Sequence, residues 1–195
     1  EVVQVSKDRK HILQSNYVGH LGTHKEFLAK VEPHSDNILH KIIVADGAPW
    51  IWNWADDLYP DSIQILDFYH AKEHLCRFAE LYFKDDQQRK EWVNQQSLRL
   101  LNDQLNQVID DLMMIKPNSS KARKAKIALI KYYEHNSKRM KYRTFRDSGW
   151  LIGSGAIEAA HRHVIQQRMK LSGQRWTIKG AQQIANLRMA YKSDQ

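Results

Sequence analysis

The chain has 195 residues, 42% of them hydrophobic and 27% charged, with one cysteine and a formal net charge of +8 at pH 7. These proportions are typical of a folded domain with an ordinary hydrophobic core. A single cysteine excludes an internal disulfide, and no apolar stretch is long enough to predict a membrane span.

The positive charge is concentrated towards the C-terminus. Residues 116–195 contain 18 lysines and arginines against four acids, whereas residues 1–115 contain 12 against 18. A basic segment of this kind is typical of proteins that bind nucleic acid, because neutralising phosphates releases their condensed counterions. Glu158 lies in this segment, in WLIGSGAIEAAHRHVIQQRMK, where its charge opposes phosphate binding. We therefore expect DNA as a partner and a separate role for Glu158.

The N-terminal third predicts a β-hairpin followed by a βαβ unit. EVVQV and HILQSNYVGHL are β-type runs on either side of the polar SKDRK. Thr23 is suited to cap a helix to about Asn37, with Glu26 completing a capping box. KIIVAD and SIQILD are strand-like runs that flank a tryptophan-rich helix at about 49–58. Strand, helix and strand at this spacing predict a parallel pair within a mixed sheet.

Beyond Asp67 the pattern is almost entirely helical. Helical segments are expected at about 70–115, 117–136, 156–171 and 177–192. The glycine-rich DSGWLIGSG is expected to form a turn before the third segment, and SGQRW separates the last two.

Three acids are the candidate catalytic residues. Asp46 and Asp67 each follow an apolar strand directly, and functional groups collect at the carboxyl edge of such sheets. Either acid could instead be a turn residue or a helix cap. Glu158 lies in the first turn of a predicted helix, which favours the ionised carboxylate that a hard divalent cation requires. Two such cations can activate a nucleophile and stabilise the leaving oxygen in phosphodiester cleavage.

Two stretches of the chain together resemble a known family of enzymes. VADGAPWIWNWADDLYPDSIQILDFYHAKEHL and GSGAIEAAHRHVIQQRMKLSGQRWTIKGAQQIANLRM are similar to DDE transposases of bacterial insertion sequences. The similarity is to the ISKra-type group and, more distantly, to Mutator-like transposases. It implies a ribonuclease H-like fold and DNA strand cleavage and transfer that depend on Mg²⁺ or Mn²⁺. It also implies a helical insertion before the final catalytic glutamate.

The resemblance implies a role for each acid. Asp46 takes the place of the second aspartate and Glu158 that of the glutamate, and both would be metal ligands. The first aspartate is expected just upstream of Glu1. These 195 residues alone would then lack one of the catalytic acids. Asp67 and His70 form a DxxH element that follows Asp46 by 21 residues and would lie beside the site. An alternative assignment makes Asp46, Asp67 and Glu158 the whole catalytic triad.

The family fold also implies a division of the chain. EVVQV and HILQSNYVGHL would be its second and third strands, KIIVAD the fourth and SIQILD the fifth. We expect an α/β chain in which residues 1–69 form a ribonuclease H-like core that lacks its first strand. Residues 70–147 would be the helical insertion, and residues 148–195 the C-terminal core helices that carry Glu158.

The segment RMKLSGQRWTIKG interleaves four cations with Trp176, and it predicts contacts with DNA phosphates because these charges follow directly on the helix that carries Glu158. The alternative is a solvated helix–turn–helix surface. The residues expected to contact DNA are His70, Arg162, Arg168, Lys170, Arg175, Trp176 and Lys179.

Three functions are compatible with these patterns. The first is the catalytic domain of a DNA transposase that acts as a homo-oligomer on DNA, in the bacterial cytoplasm at the nucleoid. The second is a catalytically incomplete DNA-binding remnant of such an enzyme. The third is a helical protein-interaction module whose charge serves an acidic partner.

Overall fold

The computed structural model describes residues 2–5, 12–153, 155, 159 and 161–193, and it shows a mixed α/β chain that is mostly helical. Its backbone contacts divide into two units. The hairpin unit comprises Glu1–Lys41 and Gly155–Gln195, and the parallel-strand unit comprises Ile42–Ser154. The division by contacts does not test the predicted domain boundaries at residues 69 and 147, which stay a prediction.

The described strands are β1 (Val2–Val5), β2 (Ile12–Asn16), β3 (Ile42–Ala45) and β4 (Ile63–Leu66). The described helices are α1 (His24–Ser35), α2 (Pro49–Leu58), α3 (Phe68–Tyr82), α4 (Asp86–Leu101), α5 (Leu105–Met114), α6 (Ser120–His135), α7 (Tyr142–Asp147), α8 (Gln167–Met169) and α9 (Ile178–Ser193). A 3-10 helix spans Ser137–Arg139 and a π-helical segment spans His161–Gln166.

The hairpin unit contains the predicted antiparallel pair. In β1 and β2, Val2 lies opposite Asn16 and Val5 lies opposite Ile12. The register shifts between Gln4 and Val5, as in a β-bulge. The predicted hairpin is therefore confirmed for its strands, while residues 6–11 between them lie outside the described part.

The start of α1 is fixed by the predicted capping box. The backbone N–H of Thr23 donates to Glu26 Oε2 at 3.0 Å, and the backbone N–H of Glu26 donates to Thr23 Oγ1 at 3.4 Å. The hydrogen bonds that the backbone N–H and the hydroxyl of Thr23 donate to Glu26 Oε2 lower the pKa of Glu26 to about 2, because they stabilise the ionised carboxylate. The helix ends at Ser35, two residues before its expected end.

The C-terminal part of the hairpin unit packs through α9. Val164, Ala185 and Met189 are buried together. The predicted helix at 156–171 appears as the π-helical segment and α8, while residues 156–158 and 160 lie outside the described part. Arg188 explains part of this geometry, since its Nε donates to Val164 O at 2.5 Å and its Nη2 donates to His163 O. These bonds satisfy carbonyl groups inside the π-helical segment.

The parallel-strand unit begins with the predicted βαβ unit. β3 and β4 pair in parallel from Ile42 opposite Ile63 to Ala45 opposite Leu66, and α2 connects them. The bounds of α2 agree with the prediction, because proline is favoured in the first turn of a helix. The described residues form two separate two-stranded sheets, so the one mixed sheet expected from the sequence is not formed among them.

Helices α3 to α6 supply most of the buried core of this unit. The predicted helical stretch at 70–115 consists of three helices, α3, α4 and α5. Asp85 starts α4 as a new helix, because its side chain accepts from the N–H of Gln88 at 2.7 Å. The breaks between these helices were not predicted. α6 ends beside Asn136, as expected. Leu75 and Phe78 of α3 are fully buried beneath α6.

Candidate functional site

The parallel strands bring Asp46 and Asp67 to neighbouring positions. Ala45 pairs with Leu66 at the end of the ladder, and the backbone N–H of Asp67 donates to Ala45 O at 2.8 Å. This bond belongs to the last pair of the ladder, Ala45 with Leu66. Because neighbouring strands lie about 4.8 Å apart, the two acids start from adjacent points at the carboxyl edge. The prediction that both acids follow directly on neighbouring parallel strands is confirmed.

Asp67 is a buried helix cap. Its side chain is 3% exposed, and its Oδ1 accepts from the backbone N–H groups of Tyr69 at 2.7 Å and His70 at 3.1 Å. The contacts of Asp67 are therefore those of a helix cap, the alternative considered for it in the sequence analysis. α3 begins at Phe68, earlier than expected.

Asp46 differs from Asp67 because its side chain is exposed. Its Oδ1 accepts from the backbone N–H of Ala48 at 3.1 Å, which closes a short turn before α2. Gly47 within this turn has φ of +90°, a conformation that glycine adopts without strain. The carboxylate therefore lies at the open end of β3 and can meet a ligand from solvent.

Tyr132 of α6 also belongs to this strand end. Its hydroxyl donates to Asp46 O at 3.1 Å, across 86 residues of sequence. Burial, and then the negative charges of Asp46 and Asp67, raise the pKa of Tyr132, so the phenol stays protonated. The sequence analysis missed this residue, because nothing local to α6 indicates a contact with β3.

Two histidines of α3 continue the cluster. The rings of His70 and His74 meet edge to face with centroids 5.1 Å apart, and His74 stacks on Tyr132 with centroids 4.2 Å apart. Burial and the neighbouring charge of His70 lower the pKa of His74, which favours its neutral form. His70 also lies 3.4 Å from Glu73, measured from Nδ1 to Oε2.

The glycine-rich loop is attached to the start of α3. The backbone N–H of Phe68 donates to Ile152 O at 2.8 Å, next to the Asp67 cap. A Cβ at Gly153 would lie 2.8 Å from the ring of Tyr69, so a side chain at this position would require that exposed ring to move. Glu158, which follows this loop in sequence, lies outside the described residues.

The residues expected to bind DNA fall in both units. Arg168 lies over the ring of Trp176 at 5.9 Å, and Trp176 Nε1 donates to Met169 O at 3.2 Å. These contacts hold one of the predicted cation–aromatic pairs together. The other expected cations of the hairpin unit are exposed, namely Arg162, Lys170, Arg175 and Lys179. His70 belongs to the parallel-strand unit, beside Asp67.

Comparison of the chain with protein-family models, curated proteins and solved structures found no match. Within the described part of the chain, no three His, Cys, Asp or Glu side chains are grouped as metal ligands. None of the helices described there combines the length and apolarity needed to cross a membrane.

The cap role of Asp67 is tested by replacing its side chain in two ways. Asp67→Asn keeps an acceptor for the N–H groups of Tyr69 and His70, whereas Asp67→Ala leaves both without it. We expect the alanine variant to have a free energy of unfolding about 1–2 kcal/mol below that of the asparagine variant. Urea denaturation measures the difference.

Asp85 at the start of α4 provides a matched control, because it caps a helix from an exposed position. The same alanine and asparagine pair there should differ by no more than about 1 kcal/mol. Equal stability of the two Asp67 variants would show that this cap does not hold α3.

Proposed function

We propose that this chain belongs to the catalytic domain of a DDE-type DNA transposase, which cleaves and transfers DNA strands at insertion-sequence ends. The observation that carries the proposal is the pair of acids, Asp46 and Asp67, at adjacent ends of parallel strands. The hairpin and the βαβ unit supply four strands of the kinds that a ribonuclease H-like sheet needs.

The strand ends fit a hard divalent cation. Mg²⁺ typically takes one or two protein carboxylates and completes its shell with water and phosphate oxygens. Asp46 offers an exposed carboxylate, and Asp67 adds negative charge from the neighbouring strand. Asp46 and Glu158 are the proposed ligands of Mg²⁺ or Mn²⁺. When bound, such an ion would activate the attacking oxygen and stabilise the leaving oxygen of a phosphodiester.

Chain connectivity supports a contribution from Glu158. Gly153 is attached to the start of α3, and Glu158 follows it by five residues, which span at most about 18 Å. The division of roles makes Asp46 and Glu158 ligands, and Asp67 a charged neighbour that orients α3.

The basic surface of the hairpin unit is the proposed DNA contact. Phosphate binding there would hold the strand, while the acids act on the scissile bond. The partners would be transposon ends and target DNA, and the active form would be a homo-oligomer assembled on DNA.

A catalytically incomplete DNA-binding remnant is the second candidate. It is favoured by the contacts of Asp67, which has a structural role in the cap of α3 whether or not a metal ion is near. A remnant would bind duplex DNA and would show no cleavage that depends on Mg²⁺.

The acids are tested in the full-length protein with Mg²⁺ and a DNA end. Glu158→Gln and Asp46→Asn keep side-chain size but remove the charge that holds the cation, so both should abolish strand cleavage and retain DNA binding. Asp67→Asn should reduce cleavage by about 10–100-fold, as outer-shell changes at metal sites do. A gel assay with end-labelled DNA measures cleavage, and fluorescence anisotropy measures binding.

Glu134→Gln is the control for these variants, because Glu134 is exposed on α6 and should not affect cleavage. Robust cleavage by Glu158→Gln would contradict the metal-carboxylate mechanism. Complete loss with Asp67→Asn would make Asp67 a member of the triad, and absence of cleavage by the unmodified full-length protein would favour the remnant.

DNA binding is tested by reversing charge in the hairpin unit. Replacing Arg168, Lys170 and Arg175 by glutamate should weaken binding to every duplex sequence alike. Because each phosphate contact contributes about 0.9 to the slope of log K against log salt, three lost contacts should reduce that slope by about 3. Anisotropy measured over a salt series gives the slope.

A control variant replaces three exposed lysines in the acidic part of the chain by glutamate, namely Lys25, Lys84 and Lys90. It changes the net charge by the same amount. This control should leave the slope nearly unchanged. An unchanged affinity in the first variant, or a loss confined to one DNA sequence, would contradict the proposed phosphate contacts.

A further inference from the structure

Tyr132 connects the helical part of the parallel-strand unit to the end of β3. Its hydroxyl donates to Asp46 O at 3.1 Å, and Asp46 is the proposed metal ligand. We propose that Tyr132 is a positioning residue that fixes the direction of the Asp46 carboxylate by holding the backbone from which it projects. This inference rests on the proposed function, since it assigns Tyr132 to the same metal site.

The backbone at Asp46 is held from two sides. Tyr132 binds the carbonyl of Asp46, and the N–H of Ala48 binds its carboxylate Oδ1 at 3.1 Å. The side chain thus leaves the strand at a residue whose carbonyl and carboxylate both have a hydrogen-bond partner. A carboxylate fixed in this way loses less conformational entropy when it binds a cation.

Gly47 allows the phenol to reach this position. A Cβ at Gly47 would lie 2.6 Å from Tyr132 Oη and 2.9 Å from Leu66 Cδ1, distances that side chains do not tolerate. The turn also requires a positive φ, which glycine adopts without strain. The Asp46–Gly47 pair therefore serves two needs, a turn after β3 and room for Tyr132.

Tyr132 is itself held in place by α3. The ring of His74 stacks on it with an interplanar angle of 20°. The next residue, Tyr133, is fully buried, and its hydroxyl donates to Ala71 O of α3 at 2.9 Å. α3 begins at the Asp67 cap, so one helix carries both the neighbouring acid and the support for Tyr132.

Substitution of the two adjacent tyrosines, one at a time, distinguishes a positioning role of Tyr132 from a general packing role. Both lie on α6 and both donate to a backbone carbonyl, but only the hydroxyl of Tyr132 reaches Asp46. Tyr132→Phe removes the bond to the strand end and keeps the ring that stacks on His74. Tyr133→Phe removes a buried bond of the same kind within the core.

The experiment measures binding of Mn²⁺ alone to the full-length protein by electron paramagnetic resonance of the free ion. Asp46→Asn defines the signal that belongs to this site. Tyr132→Phe should weaken binding at the site by about 10–100-fold, as loss of outer-shell partners does. Tyr133→Phe should leave the Mn²⁺ affinity unchanged, although it lowers the melting temperature.

Hydrogen exchange at the amide of Ala48 reports positioning without any metal. Tyr132→Phe should raise its exchange rate by about tenfold, because loosening the turn exposes the bond to Asp46 Oδ1. Tyr133→Phe should not change that rate relative to the amides of α2. His74→Ala, which removes the stacking partner, should shift both readouts in the same direction by a smaller factor.

The outcomes distinguish the inference from the proposed function. Normal Mn²⁺ binding and normal Ala48 exchange in Tyr132→Phe, with binding lost in Asp46→Asn, would overturn the inference alone. Equal effects of Tyr132→Phe and Tyr133→Phe would also overturn it, because they would reflect packing. Mn²⁺ binding that is absent, or that Asp46→Asn does not alter, would overturn both, since Asp46 would then hold no cation.

Discussion

The parallel pairing of β3 with β4 is the constraint on which the candidate site depends. Four residues of each strand are in register, and the last pair, Ala45 with Leu66, includes the bond from the N–H of Asp67 to Ala45 O. Two carboxylates that are 21 residues apart in sequence thereby start from adjacent backbone positions. Like charges at this separation repel each other, so the arrangement is favoured where hydrogen bonds or a cation offset the repulsion.

The helices that surround this strand end determine what each acid can do. Capping by Asp67 starts α3, and α3 packs against α6 through a buried interface that includes Tyr133. α6 then returns Tyr132 to the end of β3. The helical segment is thus part of the support of the site, because the stacking of His74 on Tyr132 connects α3 to the end of β3.

Local signals in the sequence predicted a good part of this structure. Features that depend on neighbouring residues were predicted, namely the hairpin, the capping box of α1, the bounds of α2 and the parallel strands. Thr23 with Glu26 indicates the capping box, and Pro49 indicates the start of α2. The strand-end acids were found because an apolar run stops at each of them.

Contacts between distant residues could not be predicted in this way. The bond of Tyr132 to Asp46 joins residues 86 positions apart, and the π-helical segment is shaped by Arg188 from another helix. α3 starts at Phe68, two residues before its predicted start, because Asp67 ends the strand and also caps the helix, the alternative that the sequence had left open. One residue can serve both elements when a strand leads directly into a helix.

The most direct test of the account is a crystal structure of the full-length protein with Mn²⁺ and a DNA end. The account predicts that Asp46 and Glu158 coordinate the same pair of ions, with their carboxylates converging on ions about 4 Å apart. It also predicts that Asp67 lies beside them as the cap of α3. Carboxyl groups of Asp46 and Glu158 more than about 10 Å apart, too far to share a two-metal site, would contradict the account.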